Sequence, residues 1–359
     1  MSVRARVYTY SGEYLDEFKN LGGLVYSQVI NDVGLCKFTI SVNDTKFNER
    51  NLRYGNLIYI THNPSTDRSG NLQGEVAEWV GVINTPRVWK VGVVEVTAYS
   101  AEKILEWRRT QIRTFTGTPA ASLKYMLNFG ERFHGDDMTN INLGVITEQR
   151  KVITQDYGEN ILVMLKRICE TNGLYFYITP KLSHDGHLDL YINLLDQLGA
   201  PTTINIFDGQ GGNIEAGSNQ ITEDGEIWNS VHAFGDTSVG VARIGWRTND
   251  LPSINTYGFR AINVPNTGNN TVEDVAQTSR IFLRFNKLPN VLLSPILLDF
   301  GKIFSDVRLG NIVNIKLTGS GFLAGQLGYE DTAQITGWEY DEAKNKMKVV
   351  LENDYNVKG

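Results

Sequence analysis

Residues 53–60 read RYGNLIYI and residues 308–315 read RLGNIVNI. Arginine, glycine, asparagine and the last isoleucine recur at the same offsets, 255 residues apart. A turn running into a strand is common, so the surroundings decide whether the match has meaning. Gly55 is followed 26 residues later by Gly81 in WVGVI, and Gly310 is followed 27 residues later by Gly337 in ITGWE. Twelve residues beyond each second glycine stand Val93, in GVVEV, and Val349, in MKVVLE. The shared order is turn, strand, variable loop, strand with a glycine, turn, strand. Solenoid repeats recur every few tens of residues, so this period belongs to something larger. The pattern predicts a duplicated β-domain, with Arg53, Gly55, Asn56 and Gly81 matched to Arg308, Gly310, Asn311 and Gly337.

Working outward, residues 1–106 read as the first β-unit. In LCKFTISV, Cys36, Phe38, Ile40 and Val42 share one apolar face, while Leu35, Lys37, Thr39 and Ser41 share the other. Five or six such antiparallel strands can close into a small barrel, which removes exposed edges. Gly81, inside a strand, marks a bulge or bend. A helix follows from Ser100 as N-cap, with Lys103 where a capping box wants an acid. Residues 107–226 read as an α/β middle domain. One helix there has Thr118 as cap, Pro119 at its first position and an apolar stripe of Leu123, Met126 and Leu127. Another, within DYGENILVMLKRICETNG, carries Ile161, Leu162, Leu165 and Ile168 at helical spacing and stops at Gly173. A hairpin turns around KLSHDG. Residues 227–240 are expected to open a second barrel and 301–359 to complete it. Between them, 241–300 is an inserted domain with a helix from about Thr271 that faces Val272, Val275 and Ala276 one way. The fold class expected is mixed β and α+β: two pseudo-repeated small β-barrels with intervening α/β domains.

Composition narrows the function. With 359 residues, 41% hydrophobic and 21% charged, the chain is long enough for several cores and polar enough to be a soluble globular protein. No run nears about 18 uncharged apolar residues, so no membrane span is expected. The start has no long apolar stretch or cleavage site, which points to synthesis in a cytoplasm. A net charge of −6 argues against a general nucleic-acid coat. The densest basic cluster, Arg108, Arg109 and Arg113, reads as a solvated helix end. Cys36 and Cys169 read as buried thiols.

Catalytic signals are sparse. His184 and His187, in HDGH, raise a metal suspicion, but they fall at a hairpin turn without the three or four ligands zinc needs. Glu131, Asp136 and Asp137 lie in a polar loop and read as surface charge rather than a glycosidase pair. GQGGNIEAG lacks the Lys-Ser/Thr pair of a phosphate loop. There is no G-x-S-x-G elbow and no HExxH. The expectation is no enzyme, no metal and no cofactor. Trp79, Trp89 and Trp107 flank the first β-unit; Trp228, Trp246 and Trp338 belong to the last third. They are read as seeds of separate cores or as subunit contacts, with exposed sugar platforms as the alternative.

The two β-units, the segment AEKILEWRRT and the region DYGENILVMLKRICETNGLYFYI together resemble the hub proteins of bacteriophage baseplates and tail tips, and the N-terminal structural region of siphophage tail-associated proteins. The resemblance spans nearly the whole chain. It implies a structural virion protein at the distal end of the tail, made in the bacterial cytoplasm. It implies a homotrimer whose six similar barrels adapt a six-fold tail tube to a three-fold tip and line the DNA exit path. The implied partners are further copies of the chain, a distal tail or tube protein, and a tip spike, fibre or lysin, with DNA only in transit. After the second unit only NDYNVKG remains in the sequence, so no C-terminal peptidase or lysozyme is expected. Two other functions stay open at this point: a carbohydrate- or receptor-binding tail module, and a cell-wall hydrolase.

Overall fold

The computed structural model describes residues 3–62, 76–84, 88–109, 113–134, 141–148, 153–208, 211–218, 221–224, 226–235, 244–265, 271–288, 290–298, 307–318 and 328–353. The chain opens with β1 (Val3–Tyr8), β2 (Tyr14–Phe18), β3 (Gly22–Val29), β4 (Leu35–Ser41), β5 (Leu57–His62), β6 (Val76–Ile83), β7 (Val88–Lys90) and β8 (Val93–Ser100). The middle region follows with α1 (Lys103–Glu106), β9 (Arg113–Gly117), α2 (Pro119–His134), β10 (Ile141–Ile146), β11 (Ile153–Tyr157), α3 (Ile161–Asn172), β12 (Tyr175–Leu182) and β13 (Leu188–Leu195). Next come β14 (Pro201–Phe207) and β15 (Ile221–Asp224). A small unit is built from β16 (Ser230–Phe234), β17 (Gly245–Asn249), α4 (Leu251–Tyr257), β18 (Ala261–Pro265) and α5 (Val272–Asn286). The chain ends with β19 (Asn290–Leu293), β20 (Ile296–Leu298), β21 (Ile312–Thr318), β22 (Gly328–Asp341) and β23 (Lys346–Asn353).

The architecture is mostly β with a few helices. Alternation drives the strands. In β4 the side chains of Cys36, Phe38 and Ile40 are buried while Lys37 and Ser41 face solvent. In β8 Val94, Val96 and Ala98 are buried in the same way. β5 is apolar on both faces, and both are used. Ile58 and Ile60 join a core that includes residues from both β-units, while Leu57 and Tyr59 join the core of the middle region. The first β-unit is therefore packed on both sides, one by its own sheet and one by α1, α2, α3, β12 and β13.

The helices follow their local signals. Thr118 Oγ1 accepts from Ala121 N (3.1 Å) ahead of Pro119, and Leu123, Met126 and Leu127 are buried. Asn160 Oδ1 accepts from Val163 N (2.8 Å), and Gly173, at φ +63°, ends α3. Ile161, Leu162, Leu165 and Ile168 are all buried. The helix starts later than its sequence suggests, because Asp156 and Tyr157 pair with β9.

Several expectations need correction. Ser100 does not cap a helix. Its Oγ accepts from Gly34 N (2.8 Å) and its own N–H donates to Gly34 O, which keeps it in β8 and shortens α1 to four residues. Val272 points to solvent; α5 buries Val275, Ala276, Ser279 and Leu283 instead. β16, expected to open the second β-unit, pairs with β17 and β18 in a separate three-stranded sheet. The second unit begins with β14, which pairs in parallel with β21. The strands of both units form one fifteen-stranded sheet, joined where β22 pairs with β3.

Candidate assembly interface

The two matched turns make the same hydrogen bonds. Gly55 N donates to Ile83 O (3.0 Å), Asn56 N to Arg53 O (3.1 Å), and Ile83 N to Asn56 O (2.8 Å). Gly310 N donates to Ile335 O (2.7 Å), Asn311 N to Arg308 O (3.2 Å), and Ile335 N to Asn311 O (2.9 Å). Gly55 and Gly310 sit at φ +90° and +82°, where a side chain is strained. The asparagine side chains differ. Asn56 is buried and donates through Nδ2 to Arg50 O (2.7 Å), whereas Asn311 Oδ1 accepts from Ala200 N (3.4 Å).

From these turns the registers can be followed strand by strand. One row crosses the first unit through Tyr26, Cys36, Ala98 and Ile83. Its counterpart crosses the second through Ile221, Leu293, Leu351 and Ile335. The order β3-β4-β8-β6 thus recurs as β15-β19-β23-β22, with β20 prolonging β19 alongside β23. This register corrects one sequence match. Gly81 lies opposite Ile58 and Ala333 opposite Val313, so Gly81 corresponds to Ala333, not to Gly337. The two glycines also differ physically. A Cβ on Gly81 would meet Tyr99 O at 2.2 Å, while one on Gly337 would find nothing closer than 3.4 Å.

β7 has a counterpart as well. Val88, Trp89 and Lys90 pair with Glu95, Val94 and Val93; Glu339, Tyr340 and Asp341 pair with Lys348, Met347 and Lys346. The end of β22 is therefore to the second unit what β7 is to the first. That end is also the internal joint, where Gly337 to Asp341 pair antiparallel with Val29 to Val25 of β3. Aromatic rings fill the joint. Tyr26 lies 5.5 Å from Trp338 and 5.6 Å from Tyr340, centroid to centroid, and 6.5 Å from Trp79. Trp79 and Trp338, placed in separate units by sequence, share this one core.

A cavity of about 450 Å³ lies beside the joint, lined among others by Trp79, Glu102, Thr179, Arg308, Asn311 and Trp338. Glu102 is buried and ties the middle region to β8: its Oε1 accepts from Ile178 N (2.8 Å). Burial raises its pKa, against hydrogen bonds from Ser100 and the Ile178 amide that act to lower it. Asp32, on the same wall, is salt-bridged to Lys166. No histidine, cysteine or lysine is among the residues lining the cavity; its two carboxylates are Asp32, paired with Lys166, and Glu102, bonded to the Ile178 amide.

The other sequence candidates do not assemble into chemistry. HDGH is a turn: Gly186 has φ +82°, Ser183 N donates to His187 O (2.9 Å), and His187 Nδ1 stands 3.3 Å from Asp189. Among the described residues no three histidine, cysteine or acidic side chains are grouped to hold a metal ion. Asp136 and Asp137 lie outside the described residues, as does the side chain of Glu131. Arg108 Nη2 donates to Tyr10 Oη (3.1 Å), an internal contact. Both cysteines are buried, with thiol pKa values pushed up by desolvation. No helix of the described residues is long and apolar enough to cross a membrane.

No protein-family model matches the sequence, and no curated protein does. Solved structures do match in fold. Prophage tail protein gp18 from Listeria monocytogenes EGD-e superposes with a TM-score of 0.63 at 12% identity, over 100% of this chain and 96% of that one. The 43 kDa tail protein of prophage MuSo2 from Shewanella oneidensis gives 0.62 at 10% identity, over 99% of each chain. The tail protein from Neisseria meningitidis MC58 gives 0.62 at 14% identity, over 99% and 97%. From its first strand to its last, the chain has the fold of prophage tail proteins.

Proposed function

We propose that this chain is a non-catalytic structural protein of a phage-type tail: a hub at the distal end of the tail, built as a homotrimer. The observation that carries this is the tandem sheet. One four-stranded order appears twice in each chain, so three copies bring six similar units to a ring. Six such units match a six-fold tube, while the three chains present three-fold symmetry to the tip. In this reading each unit is a small barrel segment, the duplicated turns at Arg53–Asn56 and Arg308–Asn311 hold equivalent places, and the ring encloses the DNA exit path. The middle region and the β16–α5 unit sit outside the ring. The partners are a tube or distal tail protein on one side and a spike, fibre or lysin on the other.

Mass measurement of the assembled protein, combined with a reconstruction of the tail, tests the proposal. Three copies arranged as six alternating units are expected. A single copy per particle, or copies lying off the tail axis, would refute it. A receptor-binding module is the second reading. Its support is the exposed pair of Tyr54 and Trp107, whose rings lie 5.7 Å apart at 30°. Specific, saturable glycan binding that is lost in Trp107→Ala would favour it.

A further inference from the structure

The chain contains one complete joint between units and two unused halves of another. Among the described residues nothing pairs with the outer edge of β7, and nothing pairs with the outer edge of β15. We propose that these edges join between copies: β7 and the Arg53–Asn56 turn of one protomer dock on β15 of the next, in the register of the internal β22–β3 joint. This rests on the ring reading above and specifies its interface.

The register follows from the matched rows. Internally, Tyr340 faces Tyr26 and Glu339 faces Ser27. Trp89 and Val88 hold the places of Tyr340 and Glu339 against the third strand of their unit. Tyr26 pairs with Cys36, and Ile221 pairs with Leu293, the residue in the matching row; Thr222, next along, then holds the place of Ser27. Between copies, Trp89 should therefore face Ile221, and Val88 should face Thr222. Such a contact is heterologous, each copy offering one edge and receiving the other, and it closes only as a ring.

Exposure agrees. Tyr340, inside the internal joint, is 3% exposed, whereas its counterpart Trp89, edge-on to Phe47, is 63% exposed. Leu309 packs on the shared core, whereas its counterpart Tyr54 is 50% exposed and stacked on Trp107. Large aromatics on an unpaired strand edge are a liability that a protein normally covers. Arg308 lines the internal cavity together with Asp32 and Glu102, whereas its counterpart Arg53 is exposed.

The test is disulfide cross-linking of the full chain in assembled tails, with diamide as oxidant. The two native cysteines are buried and do not interfere. Facing residues on paired antiparallel strands have Cβ atoms about 4.5–5.5 Å apart, within the adjustment a disulfide allows. Tails carrying the double variant Val88→Cys, Thr222→Cys should give covalent multimers up to the full ring. Tails mixing the two single variants should give only covalent dimers, and either single variant alone should give none. Cross-linking of Val88→Cys to itself, or of either cysteine to another tail protein, would overturn the proposal. So would rings that resist cross-linking in the double variant, and that result would leave the hub reading standing. Particles with one copy of the chain would instead sink the hub reading. Trp89→Lys offers a second measure: unchanged circular dichroism with at least tenfold less chain incorporated into tails is expected, and normal incorporation would count against the interface.

Discussion

Gly55 and Gly310 hold the same place in the two turns, yet alanine at the two positions should have different effects. Both lie at positive φ, so either substitution carries a backbone cost of about 1–2 kcal/mol. At Gly55 that is nearly all, because a Cβ there has nothing within 4 Å. At Gly310 the Cβ would stand 2.5 Å from Leu198 C and 2.6 Å from Leu198 O, so backbone must move. Gly199, next in the chain and itself at φ +74°, shares this close approach: a Cβ there would stand 2.1 Å from Gly310 C. The displacement strains a local network: Ile312 N to Ala200 O (3.0 Å), and Gln334 Nε2 to Leu198 O (3.1 Å) and Gly310 O (3.2 Å). Backbone shifts of this kind add about 1–3 kcal/mol, so Gly310→Ala should cost on the order of 2–5 kcal/mol in total. Gly81→Ala and Gly337→Ala extend the comparison, with a severe effect expected at the first and under about 1 kcal/mol at the second. Urea midpoints at constant slope, followed by tryptophan fluorescence, measure the differences. Equal costs at Gly55 and Gly310 would refute the close approach of the Leu198–Gly199 segment. A large cost at Gly337 would refute the register that sets Gly81 against Ala333.

Glu102→Gln should flatten part of the fall in stability as pH rises from the ordinary glutamate range. The raised folded pKa means the folded state keeps a proton that the unfolded chain has released, so stability declines until the folded group ionises. Glu352 is shifted the same way, so the measure is the difference between wild-type and Glu102→Gln melting temperatures across pH; a constant difference would count against an ionisable buried role. Glu339→Lys adds a cation to the face of β22 opposite the core, next to the proposed DNA path. DNA release should slow at low salt and recover as salt rises, because counterion release favours binding to added cations. Unchanged release at low salt, in tails that assemble normally, would refute a path along that face.

What the sequence made legible were the features whose partners lie close in the chain. The cap at Thr118, the start of α5 at Thr271, the stop at Gly173 and the Asn56 N to Arg53 O and Asn311 N to Arg308 O bonds of the two glycine turns each span only a few residues. Features set by distant partners were missed. Ser100 resembles a cap, but its partner is Gly34. β16 resembles a strand of the second unit, but its edge is taken by β18, 31 residues on. The Gly81–Gly337 match came from similar spacing, yet the register sets Gly81 against Ala333, because the chain joining the two paired strands is three residues shorter in the second unit. The correspondence of β7 to β22's end is not legible in sequence, because one is a separate three-residue strand and the other the tail of a fourteen-residue strand. Only the pairing registers reveal the kinship.

The two units also differ in a way that indicates where the constraint lies. Outside the repeated four strands, β1 runs antiparallel to β5, while β14 runs parallel to β21. The chain enters the first unit from its own hairpin, but it enters the second from the middle region, after β13, and reaches the sheet from the other end. A sheet edge accepts a strand in either direction at small cost, since parallel pairing is only slightly less stable per residue. The inner strands have no such freedom. Their register fixes which side chains face the core, and a slip of one residue would turn every one of them over. It also fixes which residues meet at the β22–β3 joint, where Tyr340 faces Tyr26. Where an edge meets only its own domain, direction varies between the units; where the sheet must continue into a neighbouring unit, register is kept. Such a pattern is expected if the sheet continues beyond the chain, through β7 and β15, into the next copy.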